Sequence, residues 1–156
     1  MRDITKEELS YIAGFVDGDG CILAQIVSRK DYKHKFQIRV SVILYQKSIR
    51  HWFLLNLHNK LKIGNLRKRN DGMSELYIVG NTPVKNFLTI LKPYLIIKKS
   101  VANLVLEIIE KNENVKIKTR SDFIEVCELV DKTAEFTDSK KRFINTTYVK
   151  SYWEKI

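Results

Sequence analysis

Leu9, Ile12, Ala13 and Val16 recur every three or four residues among polar positions, the spacing of one helix face. Thr5-Lys6-Glu7-Glu8 stands before them as a capping box, with Thr5 as N-cap and Glu8 reaching back to it. The helix is expected to end at Asp17-Gly18-Asp19-Gly20, where Gly20 can take a left-handed turn. The pattern then changes to strict alternation. Ile22, Ala24 and Ile26 alternate with Leu23, Gln25 and Val27, and Phe36, Ile38, Val40, Val42 and Leu44 alternate with Gln37, Arg39, Ser41, Ile43 and Tyr45. Such alternation predicts two strands, one face on the core and the other toward water or a polar partner. A basic connection from Arg29 to Lys35, with Tyr32 in it, joins them.

Ser48 to Leu61 reads as a second helix with Ile49, Trp52, Phe53 and Leu57 on one side. Ile63 to Arg69 and Ser74 to Val79 flank Asn70-Asp71-Gly72, a hairpin signal. Thr82-Pro83 fits the N-cap and first position of a third helix, which Lys92-Pro93 stops. Three more helical segments follow. Lys98 to Lys111 carries Ala102, Val105, Leu106 and Ile109, and Ser121 or Asp122 to Lys132 carries Phe123, Val126, Leu129 and Val130. The last, from about Thr146, holds Tyr148, Tyr152 and Trp153. The order over residues 1–97 is α-β-β-α-β-β-α, with a helical part over 98–156. This predicts an α+β fold with an antiparallel sheet, in a single domain over 1–156 without linker or low-complexity tract.

A chain of 156 residues is long enough for a real core. No stretch approaches the roughly 20 apolar residues of a membrane span, and Met1-Arg2-Asp3-Ile4 lacks the apolar run of a signal peptide. Cys21 and Cys127 lie far apart and outside any Cys-x-x-Cys pair, which argues against structural zinc and for two reduced thiols. The net charge of +10 points to a polyanionic partner, and nucleic acid fits when the charge is mixed with hydrogen-bonding side chains.

The negative end of a helix macrodipole disfavours carboxylates, yet Asp17 and Asp19 both sit in this last turn. A bound cation would offset them, and Mg²⁺ accepts one or two carboxylates with water and phosphate oxygens. The residues alone leave that site and a merely solvated acidic cap equally open. Gly14 and Gly18, four apart, would let a second backbone approach closely. Two copies packed along that face would bring their Asp19 side chains together.

Ile12-Ala13-Gly14-Phe15-Val16-Asp17-Gly18-Asp19-Gly20 resembles the LAGLIDADG motif: Ala13, Gly14, Asp17, Asp19 and Gly20 match outright, Ile12, Phe15 and Val16 stay apolar, and Gly18 replaces a small Ala. The likeness continues through Tyr45-Gln46-Lys47, Arg50, Trp52-Phe53-Leu54, Lys92-Pro93, Lys98, Ala102-Asn103-Leu104-Val105-Leu106, Glu125-Val126-Cys127 and Asp138-Ser139-Lys140. The chain is thereby similar to the single-motif, homodimeric homing endonucleases encoded in algal chloroplast introns. The resemblance implies a metal-dependent DNA endonuclease with Asp19 from each subunit as metal ligand and the Gly18 carbonyl assisting. It implies catalytic positions at Asp19, Gln46, Arg50 and Lys98, and a dimer interface through Ile12, Ala13, Gly14, Phe15 and Asp17. Expected partners are double-stranded DNA and a second copy, with no membrane and no small-molecule cofactor. The expected compartment is an organelle, a chloroplast before a mitochondrion.

The outward sheet face carries Gln25, Gln37, Arg39, Ser41, Arg67 and Arg69, side-chain types that reach base edges. A strand of about ten residues spans roughly 33 Å, close to one duplex turn, so one subunit would follow one half-site of a near-palindrome. Arg29 and Tyr32 would extend the footprint, and Ser139 and Lys140 resemble backbone-contacting positions. Phe143 and Ile144 stand where the relatives tend to be polar, and the expected contacts stop before them. Leu23, Val27, Ile43 and Tyr45 share the outward face, either touching thymine methyls or packing locally. Two alternatives use the same fold: an intron RNA-splicing maturase and a DNA-binding protein that no longer cleaves.

Overall fold

The structure, a computed structural model, describes residues 3–114, 119–137 and 142–156. Helix α1 spans Lys6–Asp19 and opens with the expected capping box: the Thr5 hydroxyl accepts from the Glu8 amide at 3.1 Å, and the Glu8 carboxylate accepts from the Thr5 amide at 2.9 Å. Strands β1 (Gly20–Ser28), β2 (Phe36–Lys47), β3 (Asn65–Lys68) and β4 (Met73–Val79) form one antiparallel sheet in the order β1-β2-β4-β3. Residues 48–50 make a short 3-10 turn before α2 (His51–Leu61). Helix α3 (Asn81–Leu91) leads through a 3-10 turn at Lys92–Tyr94 to α4 (Lys99–Asn114), then α5 (Arg120–Lys132) and α6 (Thr146–Glu154).

The alternation sorts the sheet as expected. Ile22, Ala24, Ile26, Phe36, Ile38, Val40, Val42, Leu44, Leu76 and Ile78 all face inward and are buried. Onto them pack Ile12, Ala13 and Val16 of α1, Leu54, Leu57 and Leu61 of α2, and Val84, Phe87, Leu88 and Leu91 of α3. Helices α4, α5 and α6 continue the same core through Val105, Ile108, Ile109, Phe123, Val126, Val149 and Trp153. Full burial of each large aliphatic or aromatic side chain contributes about 1.5–3 kcal/mol, so the helices leave the other sheet face to carry the polar residues. The free edge of β1 is covered at Ala24, whose carbonyl accepts from the Arg142 guanidinium. Among the described residues no helix is long and apolar enough to cross a membrane.

Three local expectations are corrected. Gly20 is extended, with φ −91° and ψ 164°, instead of left-handed. A Cβ there would lie 2.8 Å from both the Cα and the carbonyl oxygen of Val16, so close approach is what requires glycine. The inner face of α2 is Leu54, Leu57 and Leu61, while Ile49 is 78% and Trp52 60% exposed. The tighter 3-10 turn at 48–50 changes the phase on entering α2. Finally, α3 is capped by Gly80, at φ +108°, and not by Thr82.

Candidate active site and nucleic-acid interface

The end of α1 hands directly to β1, whose first residue Gly20 pairs with Leu44. This register sets Asp19 at the Tyr45–Gln46 end of β2. Gln46 and Arg50 meet across the strand-to-turn junction, where Arg50 Nε donates to Gln46 Oε1 at 2.5 Å. The 3-10 turn is anchored from below. Ser48 N donates to the Gly72 carbonyl at 2.7 Å, and the buried Ser74 hydroxyl lies 2.9 Å from Ser48 Oγ and 3.0 Å from His51 Nδ1.

The two acids of the motif have separate fates. The Asp17 carboxylate accepts from the backbone amides of Ile96 and Lys98, both at 2.9 Å. Lys98 Nζ donates to the Asp17 carbonyl at 2.6 Å, which places a cation on the negative end of α1. Asp17 therefore fastens α1 to the start of α4. Asp19 is exposed and makes no hydrogen bond or ion pair among the described residues. It is the one carboxylate in this turn left for an outside cation. Among the described residues no three His, Cys, Asp or Glu side chains gather into a metal site. Beside it, burial pushes the Cys21 thiol up, an effect partly offset by Lys98 and Arg142.

Several expected interface residues lie elsewhere than supposed. Ile12 and Ala13 are buried in this chain's own core, because the helix turns them toward the sheet, and Asp17 is occupied by the α4 junction. Neither Ile12, Ala13 nor Asp17 offers a free side chain to a partner helix. Gly14 does, together with the half-buried Phe15: a Cβ at Gly14 or Gly18 would meet nothing within 4 Å. Tyr11, Gly14, Phe15 and Gly18 form the outward stripe of α1 at helical spacing. Phe53 borders it, with ring centroids 5.1 Å from Phe15 and 6.2 Å from Tyr11. Trp52, edge-on to Phe53, and Ile96, whose amide bonds to Asp17, add exposed apolar surface beside the same helix, Ile96 being 84% exposed. Monomeric surfaces rarely expose a patch of this kind.

The outward sheet face is a shallow basin lined by Leu23, Gln25, Arg39, Ser41, Ile43, Arg67, Glu75, Tyr77 and Val79. Gln25 stands opposite Arg39 in the register, and both are exposed. Ser41 is the exception to the expected set. It points to this face but is only 4% exposed, because Leu23 and Val79 flank it. Arg67 and Arg69 share a buried carboxylate that the sequence did not single out. Glu75 Oε2 accepts from Arg67 at 2.7 and 3.1 Å, and Oε1 from Arg69 at 3.2 Å. Glu75 was readable as the one acid on the outward positions of β4, opposite Arg67. Arg29 donates to Gln37 at 3.0 Å and lies over the Tyr32 ring, 4.7 Å from its centroid. Ser139 and Lys140 lie outside the described residues. The histidines are taken by structure: His58 Nε2 is 3.0 Å from the Gly64 carbonyl, and His34 stacks on Phe123.

The family model described as LAGLIDADG endonuclease matches residues 12–109. DNA endonuclease I-CvuI of Chlorella vulgaris is 46% identical over 149 residues, covering 96% of this chain and 91% of its own. DNA endonuclease I-CreI of Chlamydomonas reinhardtii is 44% identical over 137 residues, covering 88% and 83%. Crystal structures of I-CvuI with DNA targets, one in the presence of Mg and another of Ca, superpose with TM-scores of 0.90 and 0.89 at 45% and 46% identity, each covering 96% of this chain and 94% of that one. The archaeal intron-encoded homing endonuclease I-Vdi141I, at 18% identity and a TM-score of 0.83 over 96% of each chain, shares the fold. With the motif at the end of α1, the four-stranded sheet and relatives of this closeness, the chain belongs to the LAGLIDADG endonuclease family.

Proposed function

We propose that this chain is an intron-homing DNA endonuclease that cuts both strands of a long, near-palindromic duplex as a homodimer with divalent metal, Mg²⁺ foremost. The observation that carries it is the division of labour between Asp17 and Asp19. One is bonded into the fold, and the other is free at the negative end of the helix that exposes a stripe of small and aromatic residues. Two copies joined along Tyr11, Gly14, Phe15 and Gly18 bring two Asp19 carboxylates to the foot of the helix pair. Oxygen donors of this kind, with the Gly18 carbonyl, suit a hard divalent cation, and among the described residues no three His, Cys, Asp or Glu side chains of one chain gather to hold it. Bound there, the metal supplies Lewis-acid activation of the phosphate and a water of lowered pKa.

The chain's own groups do the rest. Gln46, held by Arg50, presents its amide toward an attacking water. Arg50 and Lys98 set positive charge beside the scissile phosphate, where charge develops as the ester breaks. Gln25, Gln37, Arg39, Arg67 and Arg69 face the major groove, with Glu75 fixing the two last guanidinium planes. Arg29, Tyr32, Ser139 and Lys140 lengthen the footprint. The sources of I-CvuI and I-CreI support an algal chloroplast as the compartment.

The test is cleavage of plasmid libraries with Mg²⁺ by the wild type and by Asp19→Asn. The variant is expected to bind the selected site and leave it intact. Cutting by Asp19→Asn at the wild-type rate would remove Asp19 from the chemistry, and binding without cutting by the wild type would favour a DNA-binding role alone.

A further inference from the structure

The β1–β2 loop lies at the opposite end of β1 from Asp19. Strand β1 has nine residues. At about 3.3 Å per residue the eight steps from Gly20 carry Ser28 about 26 Å away, some eight base-pair steps along a duplex. A seven-residue basic loop at this distance would ordinarily lose its freedom only on binding, at a cost to affinity and discrimination. Here it is already built. Arg29 N donates to the Lys35 carbonyl at 2.8 Å, Tyr32 N to the Arg29 carbonyl at 3.1 Å, and Lys35 N to the Tyr32 carbonyl at 3.0 Å. Lys35 holds φ +67°, which a lysine keeps only where its surroundings impose it.

The surroundings that impose it come from the far end of the chain. Trp153 of α6, buried, donates from Nε1 to the His34 carbonyl at 2.8 Å. The His34 ring stacks on Phe123 of α5 with centroids 5.4 Å apart, and the Trp153 ring lies 5.9 Å from Phe123. Phe36, the first residue of β2, meets Tyr152 edge-on at 5.2 Å. We propose that Trp153 is a positioning residue for DNA recognition: through the His34 carbonyl, helix α6 fixes the pose of Arg29 and Tyr32 and so sets base discrimination at the outer end of each half-site. This rests on the endonuclease function proposed above.

Trp153→Phe keeps an aromatic ring in the core and removes the donor together with the second ring of the indole, a packing loss that is expected to lower stability without a positional pattern in the base profile. Half-site variants with each base pair substituted in turn are scored both by binding and by cutting. Discrimination at the outermost pairs is expected to fall about five- to tenfold, the scale of one lost hydrogen bond, with the inner pairs and the rate on the preferred site at saturation unchanged. Tyr32→Ala removes a DNA-facing ring itself, so it should weaken binding to the preferred site and lose discrimination at the same outermost pairs, and the double variant should add little to that loss of discrimination, because the two act through one element. An unchanged profile, or a loss spread evenly over the half-site, overturns the proposal. A wild type that binds but never cuts fails the endonuclease function and still tests the loop through binding. Hydrogen exchange needs no variant to fold: in the wild type the Arg29, Tyr32 and Lys35 amides are expected to be protected, and exchange at the rate of free peptide would also overturn it.

Discussion

Asp17 and Asp19 sit two residues apart in the same turn, and removing each should have opposite effects on stability. Asp17→Ala deletes the acceptor of two amide bonds, from Ile96 and Lys98 at 2.9 Å each. Hydrogen bonds to a charged group contribute about 1.5–3 kcal/mol, and with one of the two at an exposed position the pair is worth roughly 2–4 kcal/mol. For a chain of this size that lowers Tm by about 5–15 °C. Asp19→Asn removes a carboxylate that bonds to nothing and opposes the dipole of α1, so stability should hold or rise by about 0.3–1 kcal/mol. The assay is thermal unfolding of the three proteins without divalent metal or DNA, at one protein concentration, since both ligands and dimerisation move Tm. Both variants should fail to cut: Asp19→Asn for want of a ligand, Asp17→Ala because Lys98 loses its seat. An Asp19→Asn protein destabilised by more than about 2 kcal/mol, or an Asp17→Ala protein as stable as the wild type, would refute the division between them.

Gly20→Ala should cost about 1–3 kcal/mol and abolish cutting, because its Cβ would press on Val16 backbone atoms 2.8 Å away and move Asp19; denaturant melts and cleavage assays check this. Burial pushes the Cys127 thiol up to about 12 from 9.0, so the unfolded chain ionises first as pH rises. Stability should therefore fall between pH 9.0 and about 12, and Cys127→Ala should flatten that slope in pH-dependent unfolding. Trp52→Lys, at an exposed aromatic beside the outward stripe of α1, should shift the protein toward monomer in sedimentation and lower cutting at nanomolar protein, with the monomer fold retained.

Much of this was legible in the sequence because period alone carried it. The alternation from Phe36 to Leu44 fixed which face of β2 is buried, and Thr5 with Glu8 marked where α1 begins. What escaped was set by tertiary context. Ile12 and Ala13 share the spacing of Leu9 and Val16 and lie with Val16 in the core, yet the resemblance assigned them to the partner, because the motif serves two surfaces, one for its own sheet and one facing outward. Trp52 and Ile49 read as core because the phase shift of a three-residue 3-10 turn has no mark in composition. Glu75, though the one acid of its strand, reads in the sequence as a charge to be subtracted, whereas the structure buries it as the brace of two guanidinium groups. By residue type and position alone Asp17 and Asp19 are alike, and only the resemblance set Asp19 apart; in the fold the amides of residues 96 and 98, some eighty positions away, claim Asp17.

The most direct measurement is anomalous scattering from Mn²⁺ in crystals of the protein with its selected duplex. A metal peak is predicted where the Asp19 carboxylates of two protomers converge on the scissile phosphates, at about 2.0–2.2 Å from a carboxylate oxygen of each. Strong peaks only at other side chains, or two Asp19 residues held far apart and facing solvent in the DNA complex, would contradict it.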